Sequence, residues 1–329
     1  MLISVLIINY NSGDRLKRCL KHLAAQSFAD FEAIVIDNAS TDGSETTALP
    51  DTRFQLIKSP TNLGFAAGNN LAAKKAKGQW LALLNPDAYP NPDWLARLID
   101  ATKRYPDGSL FGSTQINYHK PEILDGCGDC YNFAGFPWRG GIGWPVSSLP
   151  AEGTVFAPCA AASLYRADLF QKLGGFDERL FCYCEDVDLA FRARLIGHHT
   201  IQVPSAIVQH EGSAITGVSS PFSIFHGTRN RIWIYIKNMP GLLLWPFLPL
   251  HILGNLMLLC HRPTFPARWK GTIAAFKGLP DIWRSRRDIQ STRTASEVEI
   301  ACAMSWSLGK MMKRKADVRA ITSPTSSDR

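Results

Sequence analysis

The feature that most constrains the fold is an alternation of short apolar runs with helical patterns. Residues 2–9, 31–36, 54–57 and 80–84 are apolar runs, and amphipathic segments such as residues 65–77 separate them. A short continuous apolar run is typical of a strand that is covered on both faces. Strands that alternate with helices at this spacing predict right-handed crossover units and a mostly parallel sheet. The chain is therefore predicted to have an α/β fold.

Polar residues gather where three of these strands end. They form the segments Asn9-Tyr10-Asn11, Asp37-Asn38 and Asn85-Pro86-Asp87. In open parallel sheets, ligands bind beyond the carboxyl ends of the strands. The sequence therefore predicts a ligand site at this edge of the sheet.

Asp87 is a candidate metal ligand because it follows a buried strand. A carboxylate there can hold Mg²⁺ or Mn²⁺, and such ions usually take only one or two protein carboxylates when they bind nucleotides. Asn, Pro and Asp also form ordinary turns, so the tripeptide alone is weak support. His210, at the end of a later strand, becomes a second candidate ligand if it lies beside Asp87.

Two further segments suit a nucleotide. Asp37 can accept a hydrogen bond from the imide N–H of uracil or thymine, and Tyr10 can stack on the base, although an Asx turn also accounts for part of this cluster. Residues 62–70 open a helix with small and polar residues, among them Asn62, Gly64 and Asn69. Free N–H groups at such a helix start can approach a phosphate or a ribose.

Glu185 and Asp186 stand in a run of three carboxylates at a predicted helix start, Glu185-Asp186-Val187-Asp188. Acids stabilise the first turn of a helix, which explains part of the run. Three acids in four positions exceed what capping needs. A carboxylate that projects into a cleft can act as a general base toward a hydroxyl group.

The character of the chain changes after Pro221. Residues 1–220 are predicted as the catalytic domain, residues 221–290 as a helical membrane-associating region, and residues 291–329 as a basic, weakly ordered tail. Residues 241–260 carry no formal charge and match a bilayer span in length. Two prolines, a histidine and an asparagine make this a poor span, so a helix in the membrane plane and a helical hairpin packed on the enzyme stay open.

Charge and cysteine content restrict the partners and the compartment. Residues 262–329 carry 14 Lys and Arg against 6 Asp and Glu, whereas residues 1–261 carry 22 of each. A neutral body with a basic tail favours anionic lipids, and no nucleic-acid-binding motif accompanies it. The eight cysteines lack the paired spacing of a structural zinc site, and the N-terminus lacks the features of a signal peptide, so reduced cytoplasmic thiols are expected.

The ordered motifs resemble the family 2 glycosyltransferases, and in particular their bacterial rhamnosyltransferase-like branch. They are residues 4–11, 35–43, 62–65, 84–87 and 176–178 together with 185–189. The resemblance covers residues 2–237. It implies a GT-A fold, a nucleoside-diphosphate sugar donor, a divalent metal, and inversion at the anomeric carbon.

The resemblance also implies roles for individual residues. Asp186 would be the general base, with Glu185 beside it, and Asp87 and His210 would hold the metal. The donor site would comprise Ile8, Tyr10, Asp37, Asn38, Asn62, Gly64, Asn69 and Asn85. Asn85 departs from the family pattern, because it replaces the first acid of the Asp-x-Asp motif.

The motif Gln-x-x-Arg-Trp of processive synthases is missing from the sequence, so addition of a single sugar is favoured. The expected donor is a dTDP or UDP sugar, and the resemblance alone suggests dTDP-rhamnose. The expected acceptor is a polyprenyl-diphosphate-linked saccharide or another cell-envelope glycan. The enzyme is expected at the cytoplasmic face of the bacterial inner membrane, as a peripheral or monotopic protein.

Two alternatives stay open at this point. A sugar-nucleotide pyrophosphorylase shares the α/β architecture, but it would need a glycine-rich loop with a basic residue after the first strand. That place holds Asn9-Tyr10-Asn11-Ser12-Gly13. A non-catalytic membrane scaffold of the same fold is the other alternative, and the retained acids Asp37, Asp87 and Asp186 argue against it.

Overall fold

The computed structural model of the chain describes residues 1–212, 217 and 219–321. The strands are β1 Ile3–Asn9, β2 Phe31–Asp37, β3 Phe54–Lys58, β4 Trp80–Leu84, β5 Ala88–Pro90, β6 Gly108–Asn117, β7 Leu124–Gly126, β8 Asp129–Tyr131, β9 Pro137–Arg139, β10 Gly153–Val155, β11 Ala162–Arg166 and β12 His199–His210. The helices are α1 Asp14–Ala24, α2 Gly64–Lys75, α3 Trp94–Arg104, α4 Ala167–Lys172, α5 Glu185–Leu195, α6 Pro221–Asn238, α7 Gly241–Leu259, α8 Phe265–Ser291, α9 Glu297–Ala303 and α10 Leu308–Met312.

One large sheet organises the molecule, with strand order β10-β12-β6-β11-β4-β1-β2-β3. Neighbours are parallel from β4 through β1 and β2 to β3, and again between β6 and β12, while β11 runs antiparallel between β4 and β6. In the parallel register, Asn9 lies beside Asp37. The predicted α/β sheet is confirmed, and its strand ends bring the polar segments together.

The period-2 alternation of side chains explains how helices cover both faces of the sheet. In β1, Ile3, Val5 and Ile7 join the core formed with α1 and α3. Leu6 and Ile8 point the other way, into the core formed with α2 and α5. Because every residue of β1 is buried, the strand reads as a continuous apolar run.

The prediction of a weakly ordered tail is wrong for residues 292–321. This segment forms α9 and α10, and the N–H and C=O groups of Arg319 pair with Thr154 at the edge strand β10. The edge of a sheet offers unpaired backbone groups, so a polar segment gains order there without an apolar run of its own. The rest of the predicted tail, residues 322–329, lies outside the described residues.

A buried ion network joins α6 to α5 and to the segment just before α5. Lys237 Nζ lies 2.5 Å from Asp177 Oδ2 and 2.7 Å from Asp188 Oδ1, and its side chain is 1% exposed. Removing one partner of such a network leaves an uncompensated buried charge. The network therefore fixes the position of α5, which carries Asp188, relative to α6.

We expect Lys237→Met to lower the free energy of unfolding by about 3–5 kcal/mol, because two carboxylates lose their buried cation. Chemical denaturation monitored by circular dichroism measures the change. Lys103→Met is the matched control, because Lys103 forms an exposed pair with Asp100 at 3.7 Å; we expect it to change stability by less than about 1 kcal/mol. Equal effects of the two substitutions would contradict the assigned role of Lys237.

Candidate active site

A cavity of about 480 Å³ lies beyond the carboxyl ends of β1, β2 and β4. Its walls contain eight residues predicted from the sequence: Ile8, Tyr10, Asn38, Asn62, Gly64, Asn85, Asp87 and His210. They come from five separate segments of the chain, and the parallel register brings the strand ends to one edge. We call this space the first cavity.

Asp87 and His210 face each other in the first cavity. Oδ1 of Asp87 lies 3.3 Å from Nε2 of His210, both side chains are buried, and neither atom makes another hydrogen bond within the described part of the chain. On the other side of the ring, His210 Nδ1 donates to Asp125 Oδ2 at 2.7 Å. Burial lowers the pKa of His210, but Asp87 and Asp125 outweigh burial and raise that pKa to about 9.

This arrangement has the donor set of a divalent metal site. A metal-binding histidine typically donates its second ring N–H to a carboxylate, as His210 does to Asp125. Arg139 in turn donates to Asp125 at 2.8 Å and so holds that carboxylate in place. Two buried polar atoms without other partners, one on a carboxylate and one on an imidazole, fit an ion such as Mg²⁺ or Mn²⁺, with water or phosphate oxygens as its remaining ligands.

Asn38 organises the wall of the first cavity opposite the metal candidates. Its side-chain oxygen accepts from the backbone N–H of Leu63 at 2.8 Å, and its amide donates to Asn62 Oδ1 at 3.0 Å and to the backbone oxygen of Gly64 at 3.1 Å. Gly64 has φ of 79°, and a Cβ atom there would lie 2.6 Å from the ring of Phe181. The start of α2 therefore packs against Phe181 more closely than a larger residue would allow.

Two predicted donor-site residues lie behind the cavity wall. The Asp37 carboxylate is 3% exposed and accepts from the Asn9 amide at 2.8 Å and from the Ser40 N–H at 3.3 Å. The Asn69 amide donates to the backbone oxygen of Phe65 at 2.9 Å. Neither side chain lines the first cavity in the described structure, so contact of Asp37 or Asn69 with a donor stays a prediction.

A second cavity of about 290 Å³ adjoins the first and contains Glu185 and Asp186. The two cavities share Phe65, Asn85, Arg139, Cys182 and Tyr183 in their walls. The metal candidates and the base candidate therefore face two halves of one cleft, with Asn85 and Arg139 at the boundary.

Asp186 is oriented by backbone donors. The N–H of Ala160 donates to Oδ2 at 3.0 Å, and the N–H of Val187 donates to Oδ1 at 2.8 Å. Burial and the neighbouring Asp186 raise the pKa of Asp129 well above its usual range. Burial likewise raises the pKa of Glu185 well above its usual range, with the charge of Asp186 adding to the effect.

Within the described residues, Asp129, Cys159 and Asp186 place three potential ligand atoms within 4.8 Å of one another. Burial raises the pKa of the Cys159 thiol to about 12. To bind an ion here, the thiol and the carboxyl group of Asp129 would have to release their protons, as His210 would have to do beside Asp87. Asp87 and His210 stay the predicted metal ligands, because Asp87 Oδ1 and His210 Nε2 have no other hydrogen-bond partner among the described residues.

The turn between the two cavities has an unusual backbone. Phe181, Tyr183 and Cys184 all have φ between 63° and 72°, a conformation that costs a non-glycine residue of order 1–3 kcal/mol. One buried amide on α6 holds this turn: Asn230 Nδ2 donates to the backbone oxygens of Leu180, Cys182 and Tyr183. The surrounding structure thus fixes a strained turn in the wall of the cleft.

Asp125, Asp129 and Arg139 were not predicted as site residues. They come from the segment around β7, β8 and β9, which the sequence marks only as rich in glycine, proline and aromatic residues. The one available signal is the run Cys127-Gly-Asp-Cys130, where an acid stands between two buried thiols. All eight cysteines are free thiols in this structure.

Comparison with known proteins decides the family. The sequence model for glycosyl transferase family 2 matches residues 4–174, more than half of the chain. The chain is a family 2 glycosyltransferase. The N-acetylglucosaminyl-diphospho-decaprenol L-rhamnosyltransferase of Mycobacterium tuberculosis is 30% identical over 249 residues, which cover 66% of this chain and 78% of that protein. The O-antigen biosynthesis protein RfbC of Myxococcus xanthus is 28% identical over 228 residues, 64% of this chain and 17% of that protein.

Solved glycosyltransferase structures show the same fold at low sequence identity. The structure of GalNAc-T7 with UDP, GalNAc and Mn²⁺ superposes with a TM-score of 0.61 over 89% of this chain and 58% of that chain, with 15% identity. The mannosyltransferase PcManGT of Pyrobaculum calidifontis, in complex with GDP-Man and Mn²⁺, superposes at 0.54 over 92% of this chain and 85% of that chain, with 14% identity. The predicted family and GT-A fold are confirmed.

Proposed function

We propose that this family 2 enzyme transfers one sugar, with inversion, from a nucleoside-diphosphate donor to a hydroxyl group of a lipid-linked saccharide. One observation carries the proposal: a metal-type pair, Asp87 and His210, and an oriented carboxylate, Asp186, line adjoining cavities that share Asn85 and Arg139. Direct displacement needs a stabilised leaving group and a base for the acceptor on opposite sides of the anomeric carbon.

The first cavity suits the nucleotide part of the donor. Tyr10 is 38% exposed at its mouth and offers a ring for stacking on a base, while the Asn38 network holds the start of α2 in the opposite wall. Asp87 and His210 would hold Mg²⁺ or Mn²⁺. Such an ion, when bound, neutralises the charge that develops on the leaving diphosphate.

Asp186 supplies the base in the second cavity. Its carboxylate accepts the proton of the acceptor hydroxyl as the oxygen attacks the anomeric carbon, and the bond to the diphosphate breaks on the far side. Ala160 and Val187 hold the carboxylate in one orientation, which reduces the reorganisation needed during the reaction. The raised pKa of Asp129 favours its protonated form, which limits the negative charge beside the base.

The acceptor class rests on the relatives and on the C-terminal helices. The mycobacterial relative is named for a decaprenol-diphosphate-linked acceptor and an L-rhamnosyl group. In this chain, α7 is the one described helix that is long and apolar enough to cross a membrane. We therefore propose that the acceptor is a polyprenyl-diphosphate-linked saccharide at the cytoplasmic membrane face. The proposed donor is dTDP-rhamnose.

Thermal unfolding with a panel of nucleotide sugars tests the donor site. We expect one dTDP, UDP or GDP sugar to raise the melting temperature with Mg²⁺ or Mn²⁺ present and not with EDTA. At a ligand concentration of about 100 times Kd, binding stabilises the folded protein by roughly 2.7 kcal/mol. Asp93→Asn, an exposed carboxylate paired with Arg97, is the control and should keep the shift.

Two results would count against the proposal. A panel in which no nucleotide sugar gives a metal-dependent shift would remove the donor site. A donor that binds but is neither hydrolysed nor transferred with metal present would favour the non-catalytic scaffold. Assays of donor hydrolysis and of transfer to a polyprenyl-linked acceptor distinguish the two.

A further inference from the structure

Helix α7 has two different faces along its whole length. Its outward residues are all apolar and recur at helical spacing: Leu242, Trp245, Pro246, Pro249, Leu253, Leu256, Met257 and Cys260 at its C-terminal end. Several are strongly exposed, including Leu242 at 73% and Met257 at 67%. A soluble protein rarely leaves a contiguous apolar stripe of this length in water.

The opposite face of α7 contacts the rest of the protein at several positions, where Leu244 and His251 are buried. The Tyr235 hydroxyl donates to the backbone oxygen of Leu244 at 2.7 Å, and the His251 ring stacks on Tyr235 with centroids 4.1 Å apart. Near the C-terminal end, Arg231 donates to Asn255 Oδ1 at 2.6 Å. The polar residues that make α7 a poor membrane span therefore have partners inside the protein.

The partners of α7 belong to a helix that is itself fixed to the catalytic domain. In α6, the Asn230 amide holds the 180–184 turn, and Lys237 reaches Asp177 and Asp188. Since α7 lies beside α6, a bilayer crossed by α7 would have to accommodate α6 and this turn at the same depth. Charged side chains and irregular backbone of that kind are costly in hydrocarbon.

Helix α8 returns on the same side as the catalytic domain. Its Ala275 carbonyl accepts from Trp233 Nε1 at 2.9 Å, and Arg286 donates to the backbone oxygen of Ile236 at 2.8 Å. Both contacts are to α6, so the chain before α7 and the chain after α7 pack together. A helix that crossed a membrane would place these two segments on opposite sides.

Helix α8 adds aromatic and basic groups to the exposed surface. Its exposed apolar residues are Phe265, Trp269, Ile273, Phe276 and Trp283. Beside them, Lys270, Lys277 and Arg284 are exposed and recur every seven residues, which places them along one flank of the helix. An apolar row bordered by basic residues is typical of a helix that lies at the surface of an anionic membrane.

We propose that the outward stripe of α7 and the aromatic row of α8 together dock flat on an anionic lipid leaflet without crossing it. We call this the docking surface. It is independent of the sugar transferred. If the proposed acceptor is correct, the docking surface also places the second cavity near the membrane that holds this acceptor. The hairpin that carries Asp129 and Arg139 contacts α7 through Phe133 and Phe136.

Vesicle flotation tests the docking surface with the full chain. We expect wild-type protein to float with phosphatidylcholine vesicles that contain 30% phosphatidylglycerol, and to float less with phosphatidylcholine alone or at high salt. The triple substitution Trp245→Gln, Leu253→Gln and Met257→Gln should reduce the bound fraction at least tenfold. The triple substitution Lys270→Gln, Lys277→Gln and Arg284→Gln should remove the preference for anionic vesicles.

A matched control uses exposed apolar residues outside the docking surface. Val298, Leu308 and Met312 are 71%, 54% and 78% exposed on α9 and α10. Their joint replacement by Gln should leave flotation unchanged. Thermal unfolding of every variant, with and without the nucleotide sugar, shows that it is folded and separates failure of docking from failure of the donor site.

Cysteine labelling tests whether α7 crosses. Cys260 and Cys302 are the exposed native thiols. In a Cys260→Ser background, we expect a cysteine introduced as His261→Cys to react with a membrane-impermeant maleimide from the same side as Cys302. Reaction from the opposite side would overturn the proposal, and so would wild-type protein that ignores both vesicle types and forms dimers through this surface.

Discussion

Replacing Asp186 by asparagine is expected to lower kcat by about 10²–10⁴-fold, the usual contribution of a positioned general base. The asparagine amide keeps the shape of the side chain but cannot accept the proton of the acceptor hydroxyl. The metal-dependent thermal shift with the donor should persist, because the donor residues lie in the first cavity and Asp186 lies in the second. Steady-state kinetics and thermal unfolding with the same protein measure both quantities.

Glu185→Gln is the matched control for this prediction. Burial raises the pKa of Glu185 well above its usual range, and the charge of Asp186 adds to the effect, so its protonated form is favoured. Glutamine imitates the protonated form. We expect kcat to fall by about tenfold at most, the effect of one altered hydrogen bond. A large loss in Glu185→Gln with near-normal turnover in Asp186→Asn would move the base to Glu185.

The edge of the sheet that holds the site follows from local sequence. Strands β1, β2 and β4 are largely buried apolar runs, and the polar residues that follow them emerge at their carboxyl ends. This is why Asn38, Asn85 and Asp87 were predicted together and are found in one cavity. The same reasoning does not resolve which of two adjacent side chains faces the ligand. Asn38 lines the cavity, whereas Asp37 points to Asn9 and Ser40 behind it.

The other half of the cleft depends on contacts between distant segments. Asp125 matters because it lies 2.7 Å from His210, a residue 85 positions later, and Asp129 matters because it lies beside Asp186. Both acids come from short strands in a segment with no strong periodicity. The local sequence around Asp125 and Asp129 indicates at most a hairpin. These acids reach the site only because β7 and the β8–β9 hairpin pack near the ends of the central strands.

The C-terminal region shows the same limit. Composition predicted an apolar helix over residues 241–260, and α7 is found at Gly241–Leu259. His251 and Asn255 looked like interruptions of a membrane span, and they are instead the groups that attach α7 to the enzyme. Residues 292–321 are held by dispersed contacts, among them the burial of Ile300 and Met304 and the pairing of Arg319 with Thr154. The capping box of Ser296 and Glu299 is a local signal for α9 that was not used in the prediction.

Replacing Asp87 by asparagine is the second substitution, besides Asp186→Asn, from which we expect a large loss of activity. Asparagine is nearly isosteric but removes the negative charge that balances a divalent cation, and a metal contributes several kcal/mol to stabilisation of the leaving group. Each 1.36 kcal/mol corresponds to a tenfold change in rate, so we expect kcat/KM to fall by about 10²–10³-fold. The metal-dependent thermal shift with the donor should be lost in the same variant.

Asp125→Asn separates a metal role from a structural one. Asp125 does not face the ion in this assignment, but it accepts the Nδ1–H of His210 and fixes the orientation of that ring. Loss of such a partner typically weakens metal binding by about 10–100-fold. The half-saturating Mn²⁺ concentration should therefore rise by this factor in Asp125→Asn, with kcat recovered at excess metal, whereas Asp87→Asn should not recover. If Asp87→Asn and Asp125→Asn both leave the metal requirement unchanged, the ion binds elsewhere, and the cluster of Asp129, Cys159 and Asp186 becomes its site.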